Sequence, residues 1–260
     1  MNQRILLFDS GVGGLSVWDE IRLRCPQLAV TYLMDNARFP YGELDEQQLI
    51  DGACELIVAE AERSQPLAVV VACNTASTLI LPRLRASLSQ PVIGVVPAIK
   101  PAALLAPGGR IGLLATAGTI KRAYTQELIS QFAGHCEVMR LGSSRLVMLA
   151  EEKLAGMPID AAEVAVALNG WRQEPPDVVV LGCTHFPLLR DEIQEVLGDD
   201  IRLVDSGEAI ARRLEQLLPS PLTLAEGDCQ LRVTQINERL TRQWPAFAVR
   251  GFTQPQSLNS

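Results

Sequence analysis

Two cysteines occupy matching positions in two similar segments of the chain. Residues 66–75 read PLAVVVACNT and residues 175–184 read PPDVVVLGCT, so Cys73 and Cys183 each follow a triple-valine run. A thiol at the end of a buried strand lies at the carboxyl edge of a parallel sheet, where ligands bind in open α/β folds. The helix that follows is expected to lower the thiol pKa, and the resulting thiolate can act as a nucleophile or as a base.

Simpler interpretations of these cysteines stay open. A lone cysteine is often a small buried hydrophobic residue, and a cysteine hydrolase needs one thiol and one base. A matched pair on opposite walls of a cleft fits another task, in which one thiol removes a proton from a stereocentre and the other delivers one from the far side. No metal site is predicted, because no CxxC pair occurs among the six cysteines.

Polar side chains follow both thiols. Asn74 and Thr75 come after the first, and Thr184 and His185 come after the second. His185 is either a structural histidine or a group that exchanges a proton with the adjacent thiol. The carbanion formed by loss of an α-proton needs fixed hydrogen-bond donors, and hydroxyl and amide groups of this kind supply them.

A glycine-rich segment, Asp9-Ser10-Gly11-Val12-Gly13-Gly14, follows the first predicted strand and opens a helix. Its backbone N–H groups can approach an anionic ligand. It can equally be a turn without a ligand, or a dinucleotide fingerprint, although GxGxxG would require glycine where Ser16 stands. Asp35 occupies the position at which that fingerprint expects an acidic residue. The segment 35–42 around it is interpreted either as a surface turn or as part of the site.

The elements that must position these residues alternate along the chain. Short apolar runs without polar alternation are typical of strands buried in a parallel sheet, and their alternation with helical patterns indicates an α/β fold. The predicted strands are 4–8, 29–34, 67–72, 92–95, 110–115, 136–141, 177–182 and 201–204. The predicted helices are 14–24, 45–63, 76–88, 119–132, 160–172, 187–197 and 207–217.

The similarity of the two halves predicts two similar α/β domains with mainly parallel sheets, related by a pseudo-twofold axis, with the active site in the cleft between them. Prolines near 97–101 indicate a boundary. We expect 1–96 plus 211–260 to form the first domain and 97–210 the second. Strand-like pieces at 230–234 and 247–252 leave open whether the last stretch returns to the first domain or is an appendage.

Composition limits the partners of the protein. The 260 residues carry a formal net charge of −7, which argues against nucleic acid as a partner. No signal peptide and no membrane segment are expected, so neither a membrane partner nor export is predicted and the protein is expected to be cytoplasmic.

Several segments, taken together, resemble the glutamate racemases of the aspartate/glutamate racemase superfamily. The most specific are DSGVGG, ACNTAS and GCTHFP in this order, and DNARFPYGE, GVVPAIKPA, IGLLAT and LVDSGEAI add to them. The resemblance implies interconversion of L- and D-glutamate with no cofactor and no metal, supply of D-glutamate for peptidoglycan in the cell wall, and a homodimer. Some relatives bind an activator through an N-terminal extension, a mode of regulation not expected in this chain.

The resemblance also implies roles for individual residues. Cys73 would serve the D-enantiomer with help from Asp9, and Cys183 would serve the L-enantiomer with help from His185. The assisting carboxylate maps to Glu151, with the adjacent Glu152 as the alternative. Thr116 and Thr119 would hold a substrate carboxylate. The full set of implied substrate-binding residues is Asp9, Ser10, Pro40, Tyr41, Gly42, Cys73, Asn74, Thr75, Thr116, Thr119, Cys183, Thr184 and His185.

Two other functions compete with this interpretation. Racemisation of aspartate or a hydantoin would use the same thiols with a different pocket, because spacing does not reveal side-chain length. A non-catalytic protein whose two lobes close on a small anion would keep the hydroxyl groups and need neither thiol.

Overall fold

The computed structural model describes residues 4–219 and 228–258. In those ranges the strands are β1 (Arg4–Asp9), β2 (Ala29–Met34), β3 (Val69–Val71), β4 (Val92–Gly94), β5 (Arg110–Ala115), β6 (Glu137–Gly142), β7 (Val178–Leu181), β8 (Arg202–Val204), β9 (Gln230–Val233) and β10 (Gln256–Ser257). The α-helices are α1 (Leu15–Arg24), α2 (Glu46–Ser64), α3 (Asn74–Ser87), α4 (Ile99–Leu105), α5 (Ala117–Lys121), α6 (Ala123–Phe132), α7 (Ser144–Leu154), α8 (Ala161–Ala167), α9 (Arg190–Leu197), α10 (Gly207–Leu217) and α11 (Glu238–Ala248).

The strands form two parallel sheets with the same internal order. The first sheet runs β10-β9-β2-β1-β3-β4 and the second runs β6-β5-β7-β8. In each, the first strand pairs with the second and third, and the fourth lies outside the third, so β3 and β7 are equivalent strands. The prediction of an α/β fold with two similar units is confirmed. We call the first sheet with α1, α2, α3, α10 and α11 the first lobe, and the second sheet with α4 to α9 the second lobe.

Alternating side chains of the central strands explain why helices cover both faces of each sheet. In β1, Ile5 and Leu7 pack into one buried cluster, whereas Leu6 and Phe8 pack into another on the opposite face. Successive side chains of a strand point to opposite faces, so a continuous apolar run fills both layers. The second sheet is likewise buried between two clusters.

The eight predicted strands are present with small shifts at their ends, but several helices differ from prediction. The predicted helix 119–132 is interrupted at Arg122, whose φ of −66° and ψ of 138° are extended. Helices α4 and α7 were not predicted. The predicted helix 160–172 is α8 followed by a 3-10 turn, Asn169–Trp171, and the predicted helix 187–197 begins with a 3-10 turn, Phe186–Leu189.

The C-terminal stretch joins the first sheet, because β9 pairs with β2 and β10 pairs with β9. The predicted strand at 230–234 is confirmed, but the one at 247–252 is wrong, since α11 extends to Ala248. Leu240, Gln243 and Phe247 are buried at helical spacing, and this period decides the local structure.

The residue limits of the two domains stay a prediction. Helix α10 spans the predicted limit at 210/211, and Ile210 shares a core cluster with residues of α1. None of the helices in 4–219 and 228–258 is long and apolar enough to cross a membrane.

Candidate active site

A small cavity lies where the carboxyl ends of strands from the two lobes face each other. Ser10 and Cys73 follow β1 and β3, and Thr116 and Cys183 follow β5 and β7, so equivalent strands deliver equivalent positions. The lining residues are Ser10, Phe39, Pro40, Tyr41, Gly42, Cys73, Thr75, Thr116, Ser144, Val147, Cys183, Thr184 and His185. The two thiols therefore share one cavity.

Cys73 is the N-cap residue of α3 and is only 6% exposed. Its Sγ lies 4.0 Å from Ser10 Oγ. The prediction that the following helix lowers the pKa of this thiol is wrong. Burial and the nearby charge of Asp9 raise the pKa well above its usual value, and the backbone N–H of Ala76 offsets only part of this effect. Cys73 is therefore a protonated thiol near neutral pH.

Asp9 is completely buried behind the cavity wall. Its Oδ1 accepts from the backbone N–H of Gly11 at 2.9 Å, and its Oδ2 accepts from Thr184 Oγ1 at 3.0 Å. Burial raises the pKa of the Asp9 carboxyl to about 6, against the opposing charge of His185 and these two hydrogen bonds. The carboxyl can therefore exchange a proton close to neutral pH.

Cys183 stands at the start of a chain of buried polar groups. Its Sγ lies 3.8 Å from His185 Nδ1, and His185 Nε2 donates to Glu151 Oε1 at 2.8 Å. Burial lowers the pKa of His185, but its hydrogen bonds with Cys183 and Glu151 outweigh burial and raise the pKa well above its usual value. The imidazole is therefore charged and can stabilise a thiolate at Cys183.

Glu151, and not Glu152, is the carboxylate that accepts the hydrogen bond from His185. Glu152 bonds instead to Arg145 on the protein surface. Burial raises the pKa of Glu151, but hydrogen bonds from His185, the backbone N–H of Val12 and Gln243 hold it below its usual value. The contact between Glu151 and His185 agrees with the position that the resemblance implies, and the assisting role of Glu151 stays a prediction.

The glycine-rich loop after β1 accommodates the second lobe and not a nucleotide. A Cβ at Gly13 would lie 2.5 Å from both His185 Nδ1 and Thr184 Oγ1, and a Cβ at Gly11 would lie 2.2 Å from Glu151 Oε1. The anion that this loop binds is the protein's own carboxylate, because Val12 N donates to Glu151 Oε1 at 2.9 Å. Helix and loop N–H groups of this kind bind anions in general.

Three threonine hydroxyls meet across the lobes. Thr75 Oγ1 lies 3.1 Å from Thr116 Oγ1 and 3.2 Å from Thr119 Oγ1, and Thr116 and Thr119 are 3.0 Å apart. Thr116 also caps α5 by accepting from the backbone N–H of Thr119. A cluster of hydroxyl donors at a helix N-terminus is suited to a carboxylate.

Tyr41 lines the cavity from the loop that follows β2. Its hydroxyl donates to the buried carboxylate of Asp35, which also forms an ion pair with Arg38 at 2.7 Å. Thr234 Oγ1 donates to the other carboxylate oxygen at 3.0 Å. Asp35 therefore anchors the segment 35–42, and this segment is part of the site.

Most predicted site residues line the cavity, and four lie outside it. Asp9 forms a hydrogen bond with Thr184, and Glu151 forms one with His185. Thr119 forms hydrogen bonds with Thr75 and Thr116. Asn74 faces a smaller cavity on the other side of Cys183. Reasoning from the sequence missed Phe39, Ser144, Val147 and Gln243. Phe39 lies in the segment DNARFPYGE, and Ser144 and Val147 lie in the stretch that leads to Glu151, whereas nothing in the sequence pointed to Gln243. Lining a cavity does not test a chemical role, so the individual roles stay predictions.

Within the described ranges, no group of three or more His, Cys, Asp or Glu residues is arranged to hold a metal ion.

Comparison with known proteins places this geometry in a family. Residues 18–214 match the family model described as Asp/Glu/Hydantoin racemase. A glutamate racemase of Shewanella halifaxensis is 56% identical over 265 residues, an alignment that covers 100% of this chain and 98% of that protein. The chain belongs to the glutamate racemase family.

Other glutamate racemases agree with the fold. A relative from Shewanella sp. strain MR-7 is 60% identical over 218 residues, which are 84% of this chain and 80% of that protein. The crystal structure of Escherichia coli glutamate racemase, solved with L-glutamate and the activator UDP-MurNAc-ala, has a TM-score of 0.94 and 45% identity. The match covers 99% of this chain and 98% of the E. coli chain. As a member of the glutamate racemases, the protein is an isomerase.

Proposed function

We propose that this protein interconverts L- and D-glutamate by a two-thiol mechanism that needs no cofactor. The observation that carries the proposal is that Cys73 and Cys183 line the same cavity from the ends of equivalent strands of the two lobes. Two thiols that line one cavity from different lobes can approach opposite faces of one α-carbon, as inversion by two bases requires.

We assign the first proton transfer from L-glutamate to Cys183, which lies beside the imidazole of His185. The charged His185 stabilises a thiolate at Cys183, whereas burial keeps the proton on Cys73. The Cys183 thiolate takes the α-proton of L-glutamate, and the electrons of the C–H bond stay on the α-carbon. The Cys73 thiol then delivers its proton to the opposite face and yields D-glutamate. Cys73 is left as a thiolate and Cys183 as a thiol, which is the arrangement that accepts D-glutamate.

Substrate carboxylates are assigned to hydroxyl and backbone donors. Thr75 and Thr116 present hydroxyls to the cavity, and Thr119 orients both. Fixed donors stabilise the charge that develops as the proton leaves, because they need no reorganisation during the step. The L-glutamate complex of the E. coli relative supports glutamate as the substrate.

Solvent deuterium exchange tests the proposal. Wild-type protein in D₂O, with no cofactor added, is expected to incorporate deuterium at the α-carbon of either glutamate enantiomer and to racemise it. Cys73→Ser and Cys183→Ser are each expected to lower kcat/KM by about 10³-fold. Full racemase activity in either variant would show that the two-thiol mechanism is wrong. A higher kcat/KM for aspartate would show that the substrate is wrong, and ligand binding without exchange would favour a binding protein.

The cellular role is part of the same proposal. We infer that the product D-glutamate supplies peptidoglycan synthesis and therefore supports the cell wall and cell shape, and that the protein acts in the cytoplasm as a homodimer. Depletion of the protein in a bacterial host should create a requirement for D-glutamate, and light scattering of the purified protein determines whether it is a dimer.

A further inference from the structure

We propose that Gln243 is a positioning residue for the Cys183 half of the reaction, acting through Glu151 and His185. The inference rests on the proposed function, since it concerns one of the two proton transfers. Gln243 belongs to α11, a helix that the sequence did not predict, and its side chain is only 2% exposed.

The carboxylate of Glu151 receives donors on both oxygens. Oε1 accepts from His185 Nε2 at 2.8 Å and from Val12 N at 2.9 Å. Oε2 accepts from Gln243 Nε2 at 2.6 Å, and the same amide lies 3.3 Å from the Glu151 carbonyl oxygen. In the described part of the chain, this amide is the hydrogen-bond donor to Oε2. It therefore fixes the rotation of the carboxylate plane, and with it the oxygen presented to His185.

The three donors come from different parts of the fold. Val12 and Gln243 belong to the first lobe, whereas Glu151 and His185 belong to the second. The neighbours of Gln243 on the buried face of α11, Leu240 and Phe247, pack into the core of the first lobe. Contact between α11 and α7 thus holds the Glu151 carboxylate in place from the lobe that does not carry it.

A second contact from α11 reaches Phe39, whose ring lies next to the same imidazole. The guanidinium of Arg239 lies 5.2 Å from the ring centroid of Phe39, and that ring lies 5.8 Å from the His185 ring. Helix α11 therefore contacts two neighbours of His185, which are the carboxylate of Glu151 and the ring of Phe39. Within the described ranges, no hydrogen bond from α11 reaches Cys73.

Loss of the amide would leave a buried carboxylate oxygen without its donor, and a buried charged oxygen in that state is costly. Glu151 would then turn, or take the proton from His185, and either change weakens the stabilisation of the Cys183 thiolate. A cavity beside Glu151, lined in part by Met148, Arg239 and Arg242, offers space for a water molecule in place of the amide.

The test is the pair of primary isotope effects in Gln243→Met, a variant of similar length without a donor. Because racemisation has an equilibrium constant of one, kcat/KM must fall equally in both directions, here by about tenfold. The isotope effects need not change equally. Slower transfer at Cys183 should raise the isotope effect on kcat/KM for [2-²H]-L-glutamate and lower that for [2-²H]-D-glutamate. Gln243→Leu repeats the measurement with a smaller apolar side chain.

A matched control separates positioning from loss of folded protein. Leu240→Val trims the same buried face of α11, one turn earlier, and should leave both isotope effects at wild-type values. Because each isotope effect is a ratio measured on active enzyme, an unfolded fraction cancels. Unchanged isotope effects in active Gln243 variants would overturn the proposal. This holds also if a water molecule replaces the amide and keeps Glu151 in place. Absence of α-proton exchange in the wild type would instead overturn the proposed function.

Imidazole ¹⁵N resonances give an independent reading. The chain has two histidines, and the exposed His135 serves as an internal reference for His185. Both ring nitrogens of His185 should carry protons in the wild type and in Leu240→Val, and one should lose its proton in Gln243→Met. The same protonation of His185 in all three proteins would contradict the proposed role of the amide.

Discussion

Replacing Asp9 with asparagine is expected to stabilise the folded protein near neutral pH while it lowers racemase activity. Burial raises the pKa of this carboxyl from 3.8 to about 6. Below pH 3.8 the carboxyl is protonated in both the folded and unfolded states, so it does not affect stability. Between pH 3.8 and about 6 the unfolded chain loses the proton first, and stability falls as the pH rises.

The size of the effect follows from the shift. At about 1.36 kcal/mol per pKa unit, the charged carboxyl costs the fold up to about 3 kcal/mol at pH 7 and above. Asparagine removes the charge and keeps an oxygen to accept from the backbone N–H of Gly11. Its amide can donate to Thr184 Oγ1, which now donates to Asp9. Asp9→Asn should therefore gain up to about 3 kcal/mol at pH 7 and nothing at pH 3.5.

Urea unfolding of both proteins from pH 3.5 to pH 8 measures this difference. With a urea dependence of about 3 kcal/mol per molar, the midpoint at pH 7 should rise by about 1 M. Asp51→Asn is a control of opposite sign, because hydrogen bonds from Gln47 and Arg83 lower the pKa of the exposed Asp51, and its loss should destabilise the fold at neutral pH. Racemase kcat/KM of Asp9→Asn should fall about a hundredfold, because the proton-exchanging group near Cys73 is gone.

A pH-independent difference between Asp9→Asn and the wild type, or lower stability of the variant at pH 7, would refute the reasoning. The first result would mean that the Asp9 carboxyl does not titrate between pH 3.8 and about 6 in the folded state. The second would mean that the hydrogen bonds to the charged carboxylate outweigh the cost of burying it.

Two further substitutions test other contacts of the site. Gly13→Ala places a Cβ 2.5 Å from His185 Nδ1, so the imidazole must shift and kcat/KM should fall about a hundredfold, whereas at Gly170 the nearest atom to an added Cβ is 3.3 Å away and Gly170→Ala should stay fully active. Wild-type activity in Gly13→Ala would contradict the close approach of the lobes. Tyr41→Phe removes a hydrogen bond to the charged Asp35 and should lower the free energy of unfolding by about 2 kcal/mol and raise KM. An unchanged denaturation midpoint would show that the remaining partners of Asp35 suffice.

The two halves of the site are built from similar strands, but the groups around their thiols differ. Cys73 is buried near one carboxyl group, whereas Cys183 faces a charged imidazole backed by a carboxylate. The two thiols therefore differ in the buried and charged groups around them. The environments of the two cysteines, and not their types, create this difference.

Local features of the sequence were sufficient for much of the fold. The valine runs that end in small polar residues predicted strands, placed both thiols at strand ends and indicated two similar units, because period and composition act over a few residues. The same reasoning failed at 247–252, which it predicted as a strand-like piece although α11 extends to Ala248. The helical spacing of buried positions in α11 becomes visible only when the packing of that helix is known.

The sequence by itself determined the α/β fold and the identity of the residues around the two thiols, because these follow from local periodicity and motifs. Tertiary structure alone decided which carboxylate backs His185, that Gln243 reaches it, and that the pKa of Cys73 is raised. These properties arise from contacts between distant segments, such as Val12 with Glu151, 139 positions apart, and Thr184 with Asp9, 175 positions apart. Burial and Coulomb interactions depend on distance in space, which the order of residues does not specify.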